Sequence, residues 1–139
     1  MIVEGQCHCG NICFRLETSR APAELRPRVC SCSFCSAHGA VYVADAAGRS
    51  VIQARNPEAM IRYRFAAKTT DFLVCRICGI LVAALLDETR SAINLNLTEH
   101  RGLKPLQDQA WRSQSGDERA DYRAVRWTPT RVVPGPENP

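Results

Sequence analysis

Three tight cysteine clusters constrain this chain more than any other feature of its sequence. They hold seven of the eight cysteines among 139 residues: Cys7-His8-Cys9-Gly10, Cys30-Ser31-Cys32-Ser33-Phe34-Cys35 and Cys75-Arg76-Ile77-Cys78-Gly79. Cysteines so close in sequence are poorly placed to join distant segments by disulfides, whereas their spacing lets two thiolates bind one metal ion. The clusters therefore indicate metal or thiol chemistry.

Length and composition predict one domain over residues 1–133. Hydrophobic residues make up 45% of the chain. A domain of this size buries about two-thirds of the surface that its unfolded chain exposes, so a core can form without disulfides. Residues 134–139 are proline-rich and polar, which predicts a flexible C-terminal tail.

The sequence predicts a cytoplasmic protein without membrane contact. Its first residues run directly into Cys7 and leave no room for the basic and apolar regions of a signal peptide. The longest apolar run, residues 80–86, is far shorter than the roughly 20 residues that cross a bilayer. In a reducing compartment, clustered cysteines favour metal binding over the alternative of a secreted disulfide scaffold.

The charge of the chain favours a small partner. The net charge is +4, from 18 basic and 14 acidic residues. The arginines are scattered and no basic run carries interleaved aromatic residues, so nucleic-acid binding is not expected. A small anionic ligand fits a net positive charge as well as a nucleic acid does.

Period-two alternation of apolar and polar residues runs through much of the chain. Ile12, Phe14 and Leu16 alternate with Arg15 and Glu17, as in a strand with one buried face. Similar segments predict strands at residues 41–43, 61–65, 72–74, 80–86, 93–97 and 125–127. Turn residues separate these segments and helical periodicity is weak, so we predict an all-β, mainly antiparallel fold with little helix. The polar residues 104–124 predict a long surface loop.

The first and third clusters have the spacing of zinc knuckles. Cys75 and Cys78, followed by a glycine, match a tight turn that places two thiolates on one metal. Cys7 and Cys9, also followed by a glycine, form a shorter version. Together the four thiolates would complete a tetrahedral zinc site with no open position, whose predicted role is folding stability.

The second cluster leaves one metal position open. A zinc ion held by Cys30, Cys32 and Cys35 would be a weak Lewis acid, so it would activate water poorly and would suit binding an external thiol as a thiolate. His38 follows closely and is a candidate fourth ligand, supporting hydrogen-bond partner or proton shuttle. The predicted catalytic residues are therefore Cys30, Cys32, Cys35 and His38.

The clusters, in this order and with these glycines, resemble the glutathione-dependent formaldehyde-activating (GFA) family, which includes centromere protein V. The resemblance covers most of the chain. It rests on these segments: Gly5-Gln6-Cys7-His8-Cys9-Gly10 with Phe14, the triplet leading to Gly39-Ala40, Phe72-Leu73-Val74-Cys75-Arg76-Ile77-Cys78-Gly79, Ala92-Ile93-Asn94-Leu95 and Arg126-Trp127.

This resemblance implies a fold, two metals and an activity. The fold would be a β-tent. The first and third clusters would hold a structural zinc, and Cys30, Cys32 and Cys35 would bind a second zinc at the active centre. The activity would be that of a carbon–sulfur lyase, which reversibly joins glutathione and formaldehyde to give S-hydroxymethylglutathione.

Three functions are compatible with these patterns. One is a zinc-dependent enzyme acting on a thiol–aldehyde adduct, the second a non-catalytic zinc-containing binding module for protein or nucleic acid, and the third a thiol redox enzyme such as a zinc-bearing methionine sulfoxide reductase. A redox enzyme needs reactive cysteines outside the metal clusters, and only Cys13 is left over. A binding module needs an exposed basic or aromatic face, which the sequence does not show. The enzyme is therefore favoured.

Overall fold

Strands dominate the fold, as the alternating pattern predicts. The structure is a computed structural model, and it describes residues 1–65, 69–106 and 124–134. The strands are β1 Ile2–Gln6, β2 Ile12–Glu17, β3 Tyr42–Val43, β4 Arg49–Ala54, β5 Met60–Tyr63, β6 Thr70–Cys75, β7 Leu81–Leu86, β8 Arg90–Asn94 and β9 Thr128–Pro134. Helix α1 Ser33–His38, the 3₁₀ turns Pro22–Glu24, Pro57–Ala59 and Leu95–Leu97, and a helical stretch at residues 124–126 accompany them within the described residues.

The strands form two half-sheets that share β9. The order is β1-β2-β4-β9-β8-β7-β6-β5, with β3 also paired to β8. Thr128 and Pro129 pair antiparallel with β8, whereas β9 from Thr130 onward pairs parallel with β4. The other strand pairs are antiparallel. The predicted all-β, mainly antiparallel fold is confirmed, with one parallel contact at the strand that joins the halves.

The main core lies between the two half-sheets. Ile12 of β2 and Ile52 of β4 belong to one buried cluster with Leu73 of β6, Leu85 of β7 and Ile93 of β8. Strand β2 alternates between buried Ile12 and exposed residues as predicted, while β7 is buried along its whole length. The core therefore stabilises the strand ends from which the cysteine clusters extend.

Several predicted strand bounds are wrong. Residues 95–97 form a 3₁₀ turn because the Asn94 side chain accepts a hydrogen bond from the Asn96 N–H and ends β8. Residues 124–126 are helical, so β9 begins at Thr128, where Ser91 of β8 offers a pairing partner. Strand β5 ends at Tyr63, and Phe65 lies beyond it.

Two predicted segments fall largely outside the described residues. Of the polar segment 104–124, residues 107–123 lie outside them, and so do residues 135–139 of the predicted tail. Pro134, the first residue of that predicted tail, is the last residue of β9 and pairs with Ala54. Where the chain is described, no helix is long and apolar enough to span a membrane.

Candidate metal centres

The first and third clusters form two turns of similar design at strand ends. The Cys7 N–H donates to the Ile12 carbonyl at 2.9 Å, and the Cys75 N–H donates to the Ile80 carbonyl at the same distance. A glycine with positive φ completes each turn, at 83° for Gly10 and 79° for Gly79. Only glycine adopts this region without strain, and each turn thereby holds its two sulfurs on one side.

The sulfurs of these two turns meet, as the spacing predicts. All four lie within 4.8 Å of one another in the group Cys7, Cys9, Cys75 and Cys78. Cys9 Sγ is 3.7 Å from Cys7 Sγ and 3.5 Å from Cys75 Sγ. Four sulfurs about 2.3 Å from a central zinc in tetrahedral geometry are about 3.8 Å apart. The arrangement therefore fits a zinc ion.

The electrostatics of this four-cysteine site also favour a cation. Burial raises the pKa of Cys7 to about 12, so that this thiol is protonated at neutral pH without a cation beside it. Burial acts in the same direction on Cys78, but backbone N–H groups of Cys9 and Ile80 and the neighbouring thiols lower its pKa to about 6. Cys78 is therefore readily ionised, whereas Cys7 needs a cation beside it to become a thiolate.

Helix α1 and the residues just before it bring together the cysteine triplet Cys30, Cys32 and Cys35. Cys32 caps the helix N-terminus, and its sulfur accepts a hydrogen bond from the Cys35 N–H at 3.3 Å. The sulfurs of Cys30, Cys32 and Cys35 lie within 4.8 Å of one another, and no other cysteine, histidine or carboxylate of the described residues joins this group. The three sulfurs fit three corners of a tetrahedral zinc site and leave the fourth open.

Tyr42 is a residue of this site that the sequence analysis missed. Its hydroxyl lies 3.2 Å from the buried Cys35 sulfur. Burial, followed by the proximity of Cys35, raises the pKa of Tyr42 well above its ordinary value, so the phenol is protonated at neutral pH. It can therefore donate a hydrogen bond to a Cys35 thiolate. Contact with the Cys30 and Cys32 sulfurs, followed by burial, raises the pKa of Cys35, so this thiolate needs such a donor.

His38 lies at the end of α1 and is exposed. Its ring packs on Phe34, with the centroids 4.7 Å apart, and it is not part of the three-sulfur group. The Phe34 ring also contacts the rings of Tyr63, Phe65 and Phe72, so the helix packs on a cluster of aromatic side chains through Phe34. The catalytic role of His38 stays a prediction.

Cys13, the cysteine outside the clusters, lies on β2 and not at either metal centre. Its thiol donates to the Gln53 side chain at 3.8 Å, and burial raises its pKa. A thiol with a raised pKa is a poor nucleophile at neutral pH, so the residue lacks the feature that a redox enzyme would need.

Tyr42 also lines a cavity of about 770 Å³. Four arginines line it: Arg20, Arg26, Arg28 and Arg126. They come from distant parts of the sequence, so no local charge pattern revealed them. The fold brings the scattered arginines together beside the triplet.

Comparisons with known proteins identify the family of the chain. A family model described as glutathione-dependent formaldehyde-activating enzyme matches residues 2–113, which include all three cysteine clusters. A crystal structure of a Rhodobacter sphaeroides protein is similar, with a TM-score of 0.51 and 28% identity over 73% of this chain and 91% of that chain. No curated protein matches the sequence significantly. Because the family model spans most of the chain and all three cysteine clusters, the chain belongs to the GFA family.

Proposed function

We propose that the protein is a zinc-dependent carbon–sulfur lyase that reversibly joins a small anionic thiol to a small aldehyde. The single observation that carries this proposal is the gathering of three cysteine sulfurs in the triplet, with a fourth metal position left open among the described residues. A purely structural zinc site closes all four positions, as Cys7, Cys9, Cys75 and Cys78 can do.

The family supplies the candidate substrates. Its description names glutathione and formaldehyde, so the proposed product is S-hydroxymethylglutathione. The net charge of +4 supports an anionic thiol. In the same proposal zinc occupies both cysteine groups, and the four-cysteine site serves stability.

Zinc bound to the triplet would lower the pKa of an incoming thiol and keep its sulfur nucleophilic at neutral pH. Cys30, Cys32 and Cys35 would hold the metal, and the Tyr42 hydroxyl would fix the orientation of the Cys35 sulfur. The thiol sulfur then forms a bond to the aldehyde carbon, and the carbonyl π electrons move to oxygen. The proton lost by the thiol ends on that oxygen, and we propose His38 as its carrier.

Following S-hydroxymethylglutathione formation in wild type, Cys32→Ser and Cys13→Ser proteins tests this function. We expect the wild type and Cys13→Ser to accelerate the reaction above its uncatalysed rate. Cys32→Ser should fall to that background because it loses one of three metal ligands, while Cys13 lies outside the clusters. Equal rates in all three proteins, at the background value, would contradict the proposal and favour a non-catalytic binding module.

A further inference from the structure

The segment Ala92-Ile93-Asn94-Leu95 carries part of the family resemblance and leads into a turn that contacts the end of helix α1. Asn94 is 5% exposed, and its side-chain amide donates a hydrogen bond to the Leu81 carbonyl of β7 at 2.9 Å. Its side-chain oxygen accepts a hydrogen bond from the Asn96 N–H at 3.2 Å. The 3₁₀ turn Leu95–Leu97 is therefore anchored in the sheet, with Asn96 at its middle.

The connection between α1 and β3 runs along this turn. The Asn96 side-chain amide donates a hydrogen bond to the Gly39 carbonyl at 2.9 Å. Further along, the Leu95 N–H donates to the Val41 carbonyl at 2.7 Å. The connection is thus held at its start by one side chain and later by the backbone.

The same connection separates the two residues that meet at the triplet. Cys35 lies in α1 and Tyr42 begins β3, and the Cys35 sulfur is 3.2 Å from the Tyr42 hydroxyl. Pairing with β8 fixes the position of Tyr42. Helix α1 has only six residues, too few to be stable alone, so contacts from outside the helix set its position. A shift of Gly39, the residue that caps α1, would therefore move Cys35 relative to Tyr42.

We infer that Asn96 is a positioning residue for the triplet. Its hydrogen bond to Gly39 sets the contact between Cys35 and Tyr42, and through this contact it sets the affinity of the triplet for zinc. The inference rests on the zinc that the proposed function places at the triplet, but not on catalysis. Because Asn96 is exposed, water can replace its amide at the Gly39 carbonyl, and the fold should lose little stability without it.

The zinc affinity of the triplet in Asn96→Ala tests this role. Competition with a chromophoric chelator measures that affinity, and comparison with Cys32→Ser identifies which zinc belongs to the triplet. We expect Asn96→Ala to bind this zinc about fivefold more weakly than the wild type, a smaller effect than that of a direct partner of a metal ligand. The melting temperature should stay close to that of the wild type.

Asn56→Ala is the matched control. Asn56 is also an exposed asparagine beside a 3₁₀ turn, where its side chain accepts a hydrogen bond from the Glu58 N–H at 3.1 Å. It has no printed contact with α1 or β3, so its substitution should leave the zinc affinity of the triplet at the wild-type value.

A double-mutant cycle separates positioning from a general loss of stability. If Asn96 acts through the Tyr42 hydroxyl, Asn96→Ala should lower the zinc affinity by less than about twofold once Tyr42→Phe has removed that hydroxyl. Unchanged zinc affinity in Asn96→Ala would overturn the inference. Equal losses with and without the hydroxyl would also overturn it, as would an equal loss in Asn56→Ala.

This inference and the lyase function can fail separately. Weaker zinc binding in Asn96→Ala, together with a wild type that forms no adduct, supports the positioning role and contradicts the lyase function. Unchanged zinc binding in Asn96→Ala, together with a wild type that forms the adduct, overturns the positioning role and leaves the lyase function standing.

Discussion

At the scale of single residues, the contact between the Tyr42 hydroxyl and the Cys35 sulfur gives a thiolate of the triplet a nearby donor. Cys35 is 1% exposed and Tyr42 is 8% exposed, so water cannot replace this contact easily. A thiolate buried without a donor loses the stabilisation that solvent gives it. The phenol can therefore orient the Cys35 sulfur and stabilise its thiolate form.

Replacing this donor should weaken the metal site more than the fold. We expect Tyr42→Phe to lower the zinc affinity of the triplet by about tenfold or more, since partners of metal ligands contribute on this scale. Competition with a chromophoric chelator measures that affinity. Tyr63→Phe is the control, because Tyr63 is exposed and packs on Phe34 by its ring. Equal zinc affinity in both variants and the wild type would show that the hydroxyl has no such role.

The sequence could identify ligands at this scale but not their surroundings. Cysteine spacing alone predicted the two groups that the fold brings together. Tyr42 lies between Val41 and Val43 in the sequence, and nothing in this local pattern marks it as a neighbour of Cys35. Arg20 and Arg126 line one cavity although they are far apart in the sequence. Contacts between such distant residues leave no local pattern.

At the scale of elements, the two turns that carry the four-cysteine site are extensions of paired strands. Cys7 follows β1 and precedes β2, while Cys75 ends β6 before the turn to β7. Both residues are buried in the main core cluster. A metal shared by these turns would therefore tie the edge pair β1–β2 to the middle of the other half-sheet.

Breaking this tie should destabilise the whole fold. A structural zinc contributes on the order of 10 kcal/mol to the folding of small modules, so Cys78→Ser should be largely insoluble or melt far below the wild type. Differential scanning calorimetry, or the soluble yield, provides the measurement. Cys13→Ser serves as the matched control and should melt as the wild type does. A Cys78→Ser protein with an unchanged melting temperature would contradict the structural role.

Elements were predicted where the alternation was long, and missed where it was short. The sequence predicts β2 because that strand buries one continuous face. It predicts β7 because that strand is apolar on both faces and buried along its whole length. Helix α1 has six residues, too few for helical periodicity to emerge, and a cysteine rather than a conventional capping residue begins it. The 3₁₀ turn Leu95–Leu97 was mistaken for strand because its two leucines keep the spacing of alternation.

At the scale of the whole molecule, the four-cysteine site and the triplet belong to different apolar clusters. Cys7 and Cys75 lie in the larger cluster between the half-sheets. Cys35 and Tyr42 lie in the smaller cluster around α1. Because the larger core does not include the triplet, we expect that a zinc ion bound there would leave while the half-sheets remain packed. The fold therefore favours a structural metal in the larger cluster and a separate, reactive metal at the triplet.

Stepwise removal of zinc tests that separation most directly. Zinc per chain would be measured by native mass spectrometry, with circular dichroism alongside, as a chelator is titrated into the purified protein. We predict a fall from two zinc ions per chain to one without loss of secondary structure, and unfolding only when the second ion leaves. Loss of both ions in one step, together with unfolding, would contradict the account.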